Sequence, residues 1–212
     1  VQKIINKKIK RVIFSVNDID IRSKNKAKKK LNKRKIFVKK DICKNLAKDF
    51  YKSYFLQSVK KIPLVDGKLA ISKDYYTINK KNKFITNNNS RNLGNFLRSR
   101  YDCLLTTSKT INKDNPLLNC RTKGLERKSP SLIILDRYFK IKKNIKILQT
   151  KKRKIYIFTT IHNKLKERFF RKKGIQIIKV PLKDLEPNNL FYKIKKLDLN
   201  RVFVESGASF LS

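Results

Sequence analysis

Two apolar runs of strand length are followed by polar residues that could do chemistry. The run at 103–107 leads to Thr110, Asp114 and Arg121, and the run at 201–205 ends in Glu205. Hydroxyl, carboxylate and guanidinium groups suit a polar ligand, and a guanidinium presents a planar fork of donors to a phosphate. A solvated turn accounts for the first loop equally well. Packing alone can account for the small residues that follow Glu205.

Asp136 and His162 also follow apolar runs, and both have ordinary explanations. We expect Asp136 to cap the turn after residues 131–135 and the single histidine, His162, to be a surface or capping residue without a catalytic partner. The sequence contains no His-x-Glu with a downstream Pro-Cys-x-x-Cys, so no zinc-activated water is predicted within this chain.

Alternating elements are predicted to position these residues. Further strands are expected at 131–136, 154–160, 175–180 and 201–205, with helices at 163–173 and 188–197 between the last three. Strand, helix, strand order predicts an α/β domain with a largely parallel core. Ligands of such sheets bind at the carboxyl ends of the strands.

The first two thirds of the chain give a less regular pattern. Strands are predicted at 10–16, 35–40, 67–72 and 103–107, an extended segment at 84–86, and a polar loop at 108–116. One helix should begin at the cap Asp41 and bury one face. A second should be capped by Asn89 or Ser90 and point Leu93, Phe96, Leu97 and Tyr101 inward.

The charge of the chain suggests a second class of function. Fifty-six Lys and Arg residues against 15 Asp and Glu residues give a net charge of +41, which attracts polyanions. The basic residues are mostly Lys and occur from end to end, without an Arg stripe interleaved with aromatics. A basic nucleic-acid-binding module therefore stays as the alternative to an enzyme.

Cysteine usage and hydropathy indicate the compartment. Cys43, Cys103 and Cys120 are odd in number and form no CxxC pair, so we expect reduced thiols and a cytoplasmic protein. No apolar run approaches the ~18 residues of a membrane span. Membrane binding is therefore not expected.

Six ordered motifs resemble one family. They are KLAISKD (68–74), KFIT (83–86), FLRSRYD (96–102), the long LLTTSKTINKDNPLLNCR (104–121), LIILD (132–136) and VFVESGASFL (202–211). In this order they resemble the reductase domain of the bifunctional riboflavin-biosynthesis deaminase/reductases. Two departures are Phe84 in place of the usual Trp and Ser206 in place of the commoner Gly.

The resemblance implies a dihydrofolate-reductase-like mixed-sheet domain at 60–212, truncated at its C-terminus. It implies that residues 1–59 are the C-terminal tail of a cytidine-deaminase-like domain, whose zinc-binding half would precede Val1. We therefore expect a fragment of a longer protein that is a homo-oligomer when complete. An inactive reductase-like protein with a structural role is a third possibility.

The implied activity is NADPH-dependent reduction of 5-amino-6-(5-phosphoribosylamino)uracil, a small-molecule substrate, to its ribityl product. Hydride would reach the carbon of a ring-opened imine, so the protein mainly aligns the reactants. The residues implied near the cofactor are Phe84, Thr110, Asp114, Gly207, Ala208 and Ser209. Those implied near the substrate are Asn82, Arg98, Leu118, Arg121 and Glu205, with Arg98 and Arg121 suited to its phosphate.

Overall fold

The computed structural model describes residues 1–20, 26–77, 84–150, 153–207 and 210. The chain divides into two units, Val1–Leu64 and Val65–Ser212. None of the helices within these described ranges is long and apolar enough to cross a membrane.

In the described residues of the first unit, the structure has a two-stranded parallel sheet and four short helices. Its elements are α1 (Gln2–Asn6), β1 (Arg11–Ile13), α2 (Lys26–Asn32), β2 (Phe37–Lys39), α3 (Lys44–Phe50) and α4 (Lys52–Phe55), followed by a π-helical turn (Leu56–Lys60). β1 pairs with β2 in parallel. The strands predicted at 10–16 and 35–40 therefore correspond to β1 and β2, with α2 between them.

The helix expected from an Asp41 cap differs from the prediction. It begins at Lys44 after Cys43, and Asp41 instead makes an ion pair with Lys44 at 3.1 Å. Leu46 and Phe50 are 74% and 73% exposed, so the predicted apolar face is not buried in the described chain. Periodicity reports which side chains share a helix face, but burial needs an element that packs on it.

The described part of the second unit is built on a six-stranded sheet with helices on both faces. Its elements are β3 (Leu64–Gly67), α5 (Asn88–Arg98), β4 (Cys103–Thr107), α6 (Ser108–Asp114), β5 (Ser131–Leu135), β6 (Ile155–Thr159), α7 (Lys164–Lys172), β7 (Gln176–Lys179), α8 (Pro187–Lys196) and β8 (Arg201–Val204). The strand order is β3-β8-β4-β5-β6-β7, and β4 to β8 all run parallel. The predicted α/β fold with a parallel sheet is confirmed.

Burial on both faces explains why the central strands are continuous apolar runs. Along β4, Leu104 belongs to the core on one face, with Phe170 of α7 and Ile111 of α6. Leu105 belongs to the core on the other face, with Leu190 and Ile194 of α8. A parallel sheet covered on both sides has no solvent-facing row, so its strands do not alternate between apolar and polar residues.

Three local predictions in this unit are wrong. The strand placed at 67–72 is β3, which ends at Gly67, and the 108–116 loop is largely the helix α6. The Thr107 hydroxyl caps α6 by accepting a hydrogen bond from the Thr110 N–H at 3.3 Å. The prediction gave more weight to the Asn-Pro breaker than to this cap.

Helix α5 is capped by Asn87 rather than Asn89 or Ser90. Leu97 and Tyr101 pack on the core as predicted, whereas Leu93 and Phe96 are 57% and 38% exposed.

His162 has a partner that the sequence did not reveal. Its Nδ1 lies 2.8 Å from Glu167 Oε1, which Lys179 Nζ also approaches at 3.3 Å. Burial raises the pKa of Glu167, but hydrogen bonds from Lys179, the Asn163 N–H and His162 outweigh it, so this pKa lies below its ordinary value. The cluster joins the carboxyl ends of β6 and β7 to the first turn of α7.

The cluster predicts acid-dependent stability. A carboxyl whose pKa is lower in the folded than in the unfolded chain stabilises the fold above about 4.3, its ordinary pKa, and this contribution is lost as the pH falls through the folded value. We expect the free energy of unfolding to fall less steeply with decreasing pH in Glu167→Gln than in the wild type over that acidic range. Urea titrations at a series of pH values measure it, with exposed Glu186→Gln as control. An unchanged slope in Glu167→Gln would contradict the prediction.

Candidate active site

One edge of the second unit collects polar residues from three strands. β8, β4 and β5 are parallel neighbours, so Glu205, Ser108 and Asp136, each directly after its strand, lie at the same edge of the sheet. The carboxyl edge of a parallel sheet is where such folds bind ligands.

A buried ion pair lies at this edge. Arg98 Nε donates to Glu205 Oε1 at 2.6 Å and Nη2 donates to Oε2 at 2.8 Å, with the two side chains only 12% and 10% exposed. The fork matches the two carboxylate oxygens one to one, the strongest geometry for this pair. The structure thus brings together two of the residues predicted to bind the substrate.

Most remaining donors of Arg98 are also occupied. Its Nη1 donates to Asn95 Oδ1 at 3.1 Å and to the Asn119 carbonyl at 3.0 Å. Arg98 therefore orients Glu205 and leaves little capacity for a phosphate. Arg121 is exposed, and within the described residues no hydrogen bond or ion pair engages its guanidinium. The phosphate role that we expected of both arginines suits Arg121 better.

The segment before Arg121 accepts a hydrogen bond from a second arginine, Arg153. Leu118 is 5% exposed and has a left-handed backbone with φ of 50°, and its carbonyl accepts a hydrogen bond from Arg153 Nη1 at 2.7 Å. Burial, and then the charge of Arg98, lower the pKa of Arg153 to about 10. Sequence reasoning missed Arg153, which lies in the Lys-rich stretch KKRK, because such runs are usually solvated.

Between the ends of β4 and β5 lies a cavity of about 570 Å³. Its lining is rich in cations, and the residues are Thr107, Ser108, Lys109, Asn112, Lys113, Leu135, Asp136, Arg137, Tyr138 and Lys140. Ligand sites usually have volumes of about 300–1,000 Å³. Asp136 is buried and accepts from Ser108 Oγ at 2.8 Å and from the Lys140 and Ile141 N–H groups, so it caps the following turn as predicted.

The residues predicted near the cofactor fall in different places. Thr110 lies in the first turn of α6, where its hydroxyl is 3.1 Å from Thr107 Oγ1, and Asp114 is exposed at the end of the same helix. Phe84 is 54% exposed, with the Arg91 guanidinium 4.3 Å from its ring centroid. Gly207 is exposed beyond β8.

Three predicted site residues, Asn82, Ala208 and Ser209, lie outside the residues that the structure describes. The roles assigned to them stay predictions.

Two buried hydroxyls near the same edge have no protein partner in the described chain. Thr106 Oγ1, in β4, and Ser206 Oγ, after β8, are both inaccessible and make no hydrogen bond. Buried hydroxyls normally find a partner, so these two are suited to a polar ligand group. No group of three or more His, Cys, Asp or Glu side chains within the described ranges could hold a metal ion.

Comparison with known proteins identifies the family. The model of the RibD C-terminal domain matches residues 63–212. The chain is 29% identical to the riboflavin biosynthesis protein RibD of Aquifex aeolicus over 212 aligned residues, and 30% identical to the 5-amino-6-(5-phosphoribosylamino)uracil reductase of Buchnera aphidicola over 146. These alignments cover 96% and 62% of this chain.

A solved structure shares the fold. The deaminase/reductase of Thermotoga maritima superposes with a TM-score of 0.81 at 23% identity, covering 98% of this chain and 56% of that one. The chain spans 57% of the length of the Aquifex relative and 67% of the Buchnera relative. With the family model matched from residue 63 onward, the chain belongs to the RibD C-terminal domain family.

Proposed function

We propose that this chain reduces the ribosyl group of 5-amino-6-(5-phosphoribosylamino)uracil to ribityl with NADPH, a step of riboflavin biosynthesis. The Buchnera relative is named for that reductase, and the Aquifex relative for riboflavin biosynthesis. The observation that carries the proposal is the buried Arg98–Glu205 pair, within the family match and at the same sheet edge as a cationic cavity.

The residues present fit a phosphorylated nicotinamide cofactor. Lys109, Lys113, Arg137 and Lys140 surround the cavity with positive charge, which favours the phosphates of a dinucleotide. The unpartnered hydroxyls of Thr106 and Ser206 offer hydrogen bonds to its polar groups. The resemblance to the reductases adds Thr110, Asp114, Phe84 and Gly207 to the proposed cofactor site, and none of these four is among the residues that line the cavity. Ser206 stands where the family more commonly has glycine, and its hydroxyl is buried.

The side chains of the chain position the reactants. NADPH, when bound, supplies the hydride. Glu205 is fixed by Arg98 and still has lone pairs that can accept from a sugar hydroxyl or a uracil N–H. Arg121 donates to the phosphate of the substrate. No strong general base is required, since the main task of the protein is to align the two reacting carbons.

The cationic cavity predicts preference for NADPH over NADH. We expect Arg137→Ala to raise the Kd for NADPH about ten- to hundredfold, the cost of losing one charge-assisted hydrogen bond. The Kd for NADH should change little, because NADH lacks the additional phosphate. Fluorescence titration with both nucleotides measures this, with exposed Lys172→Ala as control. Equal losses for both nucleotides would contradict the assignment.

Steady-state NADPH oxidation tests the activity itself. We expect consumption of NADPH only when the phosphoribosylaminouracil is present. The nucleic-acid alternative predicts no consumption and a polyanion affinity that falls steeply with salt. That alternative depends on net charge alone, and none of the relatives described above is named for nucleic-acid binding.

We further propose that the first unit is the tail of a deaminase domain. Alignments with the Aquifex and Thermotoga proteins extend over nearly the whole chain, including this unit. Zinc would then belong to the remaining half of the longer protein, which we expect to be a homo-oligomer. The three free thiols agree with a cytoplasmic location.

A further inference from the structure

The segment that leads to Arg121 has a backbone that costs free energy. Asn115 and Leu118 have φ of 43° and 50°, in the left-handed region. Leucine rarely adopts this conformation, because its Cβ crowds the following carbonyl oxygen. Such strain persists only where neighbouring groups hold it in place.

Two arginines hold consecutive carbonyls of this segment. Arg98 Nη1 donates to the Asn119 carbonyl at 3.0 Å, and Arg153 Nη1 donates to the Leu118 carbonyl at 2.7 Å. The Cys120 N–H donates to Ser129 Oγ at 3.1 Å. Three successive residues are therefore fixed immediately before Arg121.

Arg153 differs from Arg98 in the balance of its charge. Glu205 neutralises Arg98, whereas Arg153 has no ion pair in the described chain, and its Nε and Nη2 are buried without a partner. Burial and the nearby Arg98 charge both disfavour this cation. The Arg153 cation is thus held in an unfavourable environment, where it makes one hydrogen bond, to the Leu118 carbonyl. This indicates that the hydrogen bond has a role.

We propose that Arg153 is a positioning residue, which through the Leu118 carbonyl holds the segment 118–121 so that Arg121 meets the phosphate of the substrate. This inference rests on the proposed reductase function. Arg153 contacts neither substrate nor cofactor in this role. It acts on the binding of the phosphorylated substrate and leaves cofactor binding unchanged.

Three variants of the full-length protein test the proposal. Arg153→Met removes the donor with similar bulk, and Arg153→Lys keeps one charged donor. Arg201→Met is the matched control, because Arg201 is also half-buried with an unpartnered Nε but lies over Tyr101, 5.5 Å from its ring centroid.

The first measurement is amide hydrogen exchange, which needs no activity. We expect Arg153→Met to speed exchange at residues 118–121 about tenfold, the effect of losing one hydrogen bond to a charged group. Exchange in β5 should stay unchanged. Equal acceleration in Arg201→Met, or none in Arg153→Met, would overturn the proposal.

The second measurement separates KM from kcat. We expect Arg153→Met to raise the KM for the phosphorylated substrate about tenfold, with NADPH affinity unchanged and partial recovery in Arg153→Lys. An active wild type whose substrate KM is insensitive to Arg153→Met would refute the positioning role. A wild type inactive with this substrate would refute the proposed function instead, and exchange would still decide the role of Arg153.

Discussion

Arg121→Ala is expected to raise the KM for the phosphorylated substrate ten- to hundredfold while NADPH affinity stays near that of the wild type. Loss of a charge-assisted hydrogen bond costs about 1.5–3 kcal/mol, which corresponds to that range. Arg121 is exposed and uncommitted in the described chain, whereas the donors of Arg98 are occupied. The phosphate should therefore depend on Arg121.

Steady-state NADPH oxidation, combined with a direct cofactor titration, measures both effects. Arg121→Lys should recover part of the loss, since lysine restores the charge without the planar fork. If Arg121→Ala kept its substrate KM and lost NADPH affinity instead, the loop would bind the cofactor and not the substrate.

Glu205→Ala should strongly destabilise the second unit. It leaves the Arg98 guanidinium, 12% exposed, without its counter-ion, and removal of one partner from a buried pair costs about 3–5 kcal/mol. The double variant Arg98→Met with Glu205→Leu should recover much of this stability, because apolar groups of similar volume do not leave a buried charge.

Urea unfolding followed by circular dichroism measures these differences. Asp184→Ala is a matched control, since its ion pair with Lys193 at 3.0 Å is more exposed and should contribute less than about 1 kcal/mol. A Glu205→Ala variant within about 1 kcal/mol of the wild type would show that solvent or another group compensates Arg98.

Local patterns predicted some elements well and failed at others for identifiable reasons. The strands β4 to β8 were predicted to within a residue or two because parallel strands covered on both faces are unbroken apolar runs. Helix α6 was predicted as a loop, since its polar residues and the following Asn-Pro resemble a turn. Its Thr107 cap, and the packing of Ile111 on the core, favour the helix.

The sequence by itself determined the family, the parallel sheet and the candidate residues, because these depend on residue types in a fixed order along the chain. Only the tertiary structure decided how those residues act. Arg98 and Glu205 are 107 positions apart, so no local pattern predicts that the Glu205 carboxylate accepts the hydrogen bonds of the Arg98 guanidinium. Arg153 lies in a basic run that is ordinarily solvated, and only the tertiary structure reveals that it is buried and donates to the Leu118 carbonyl.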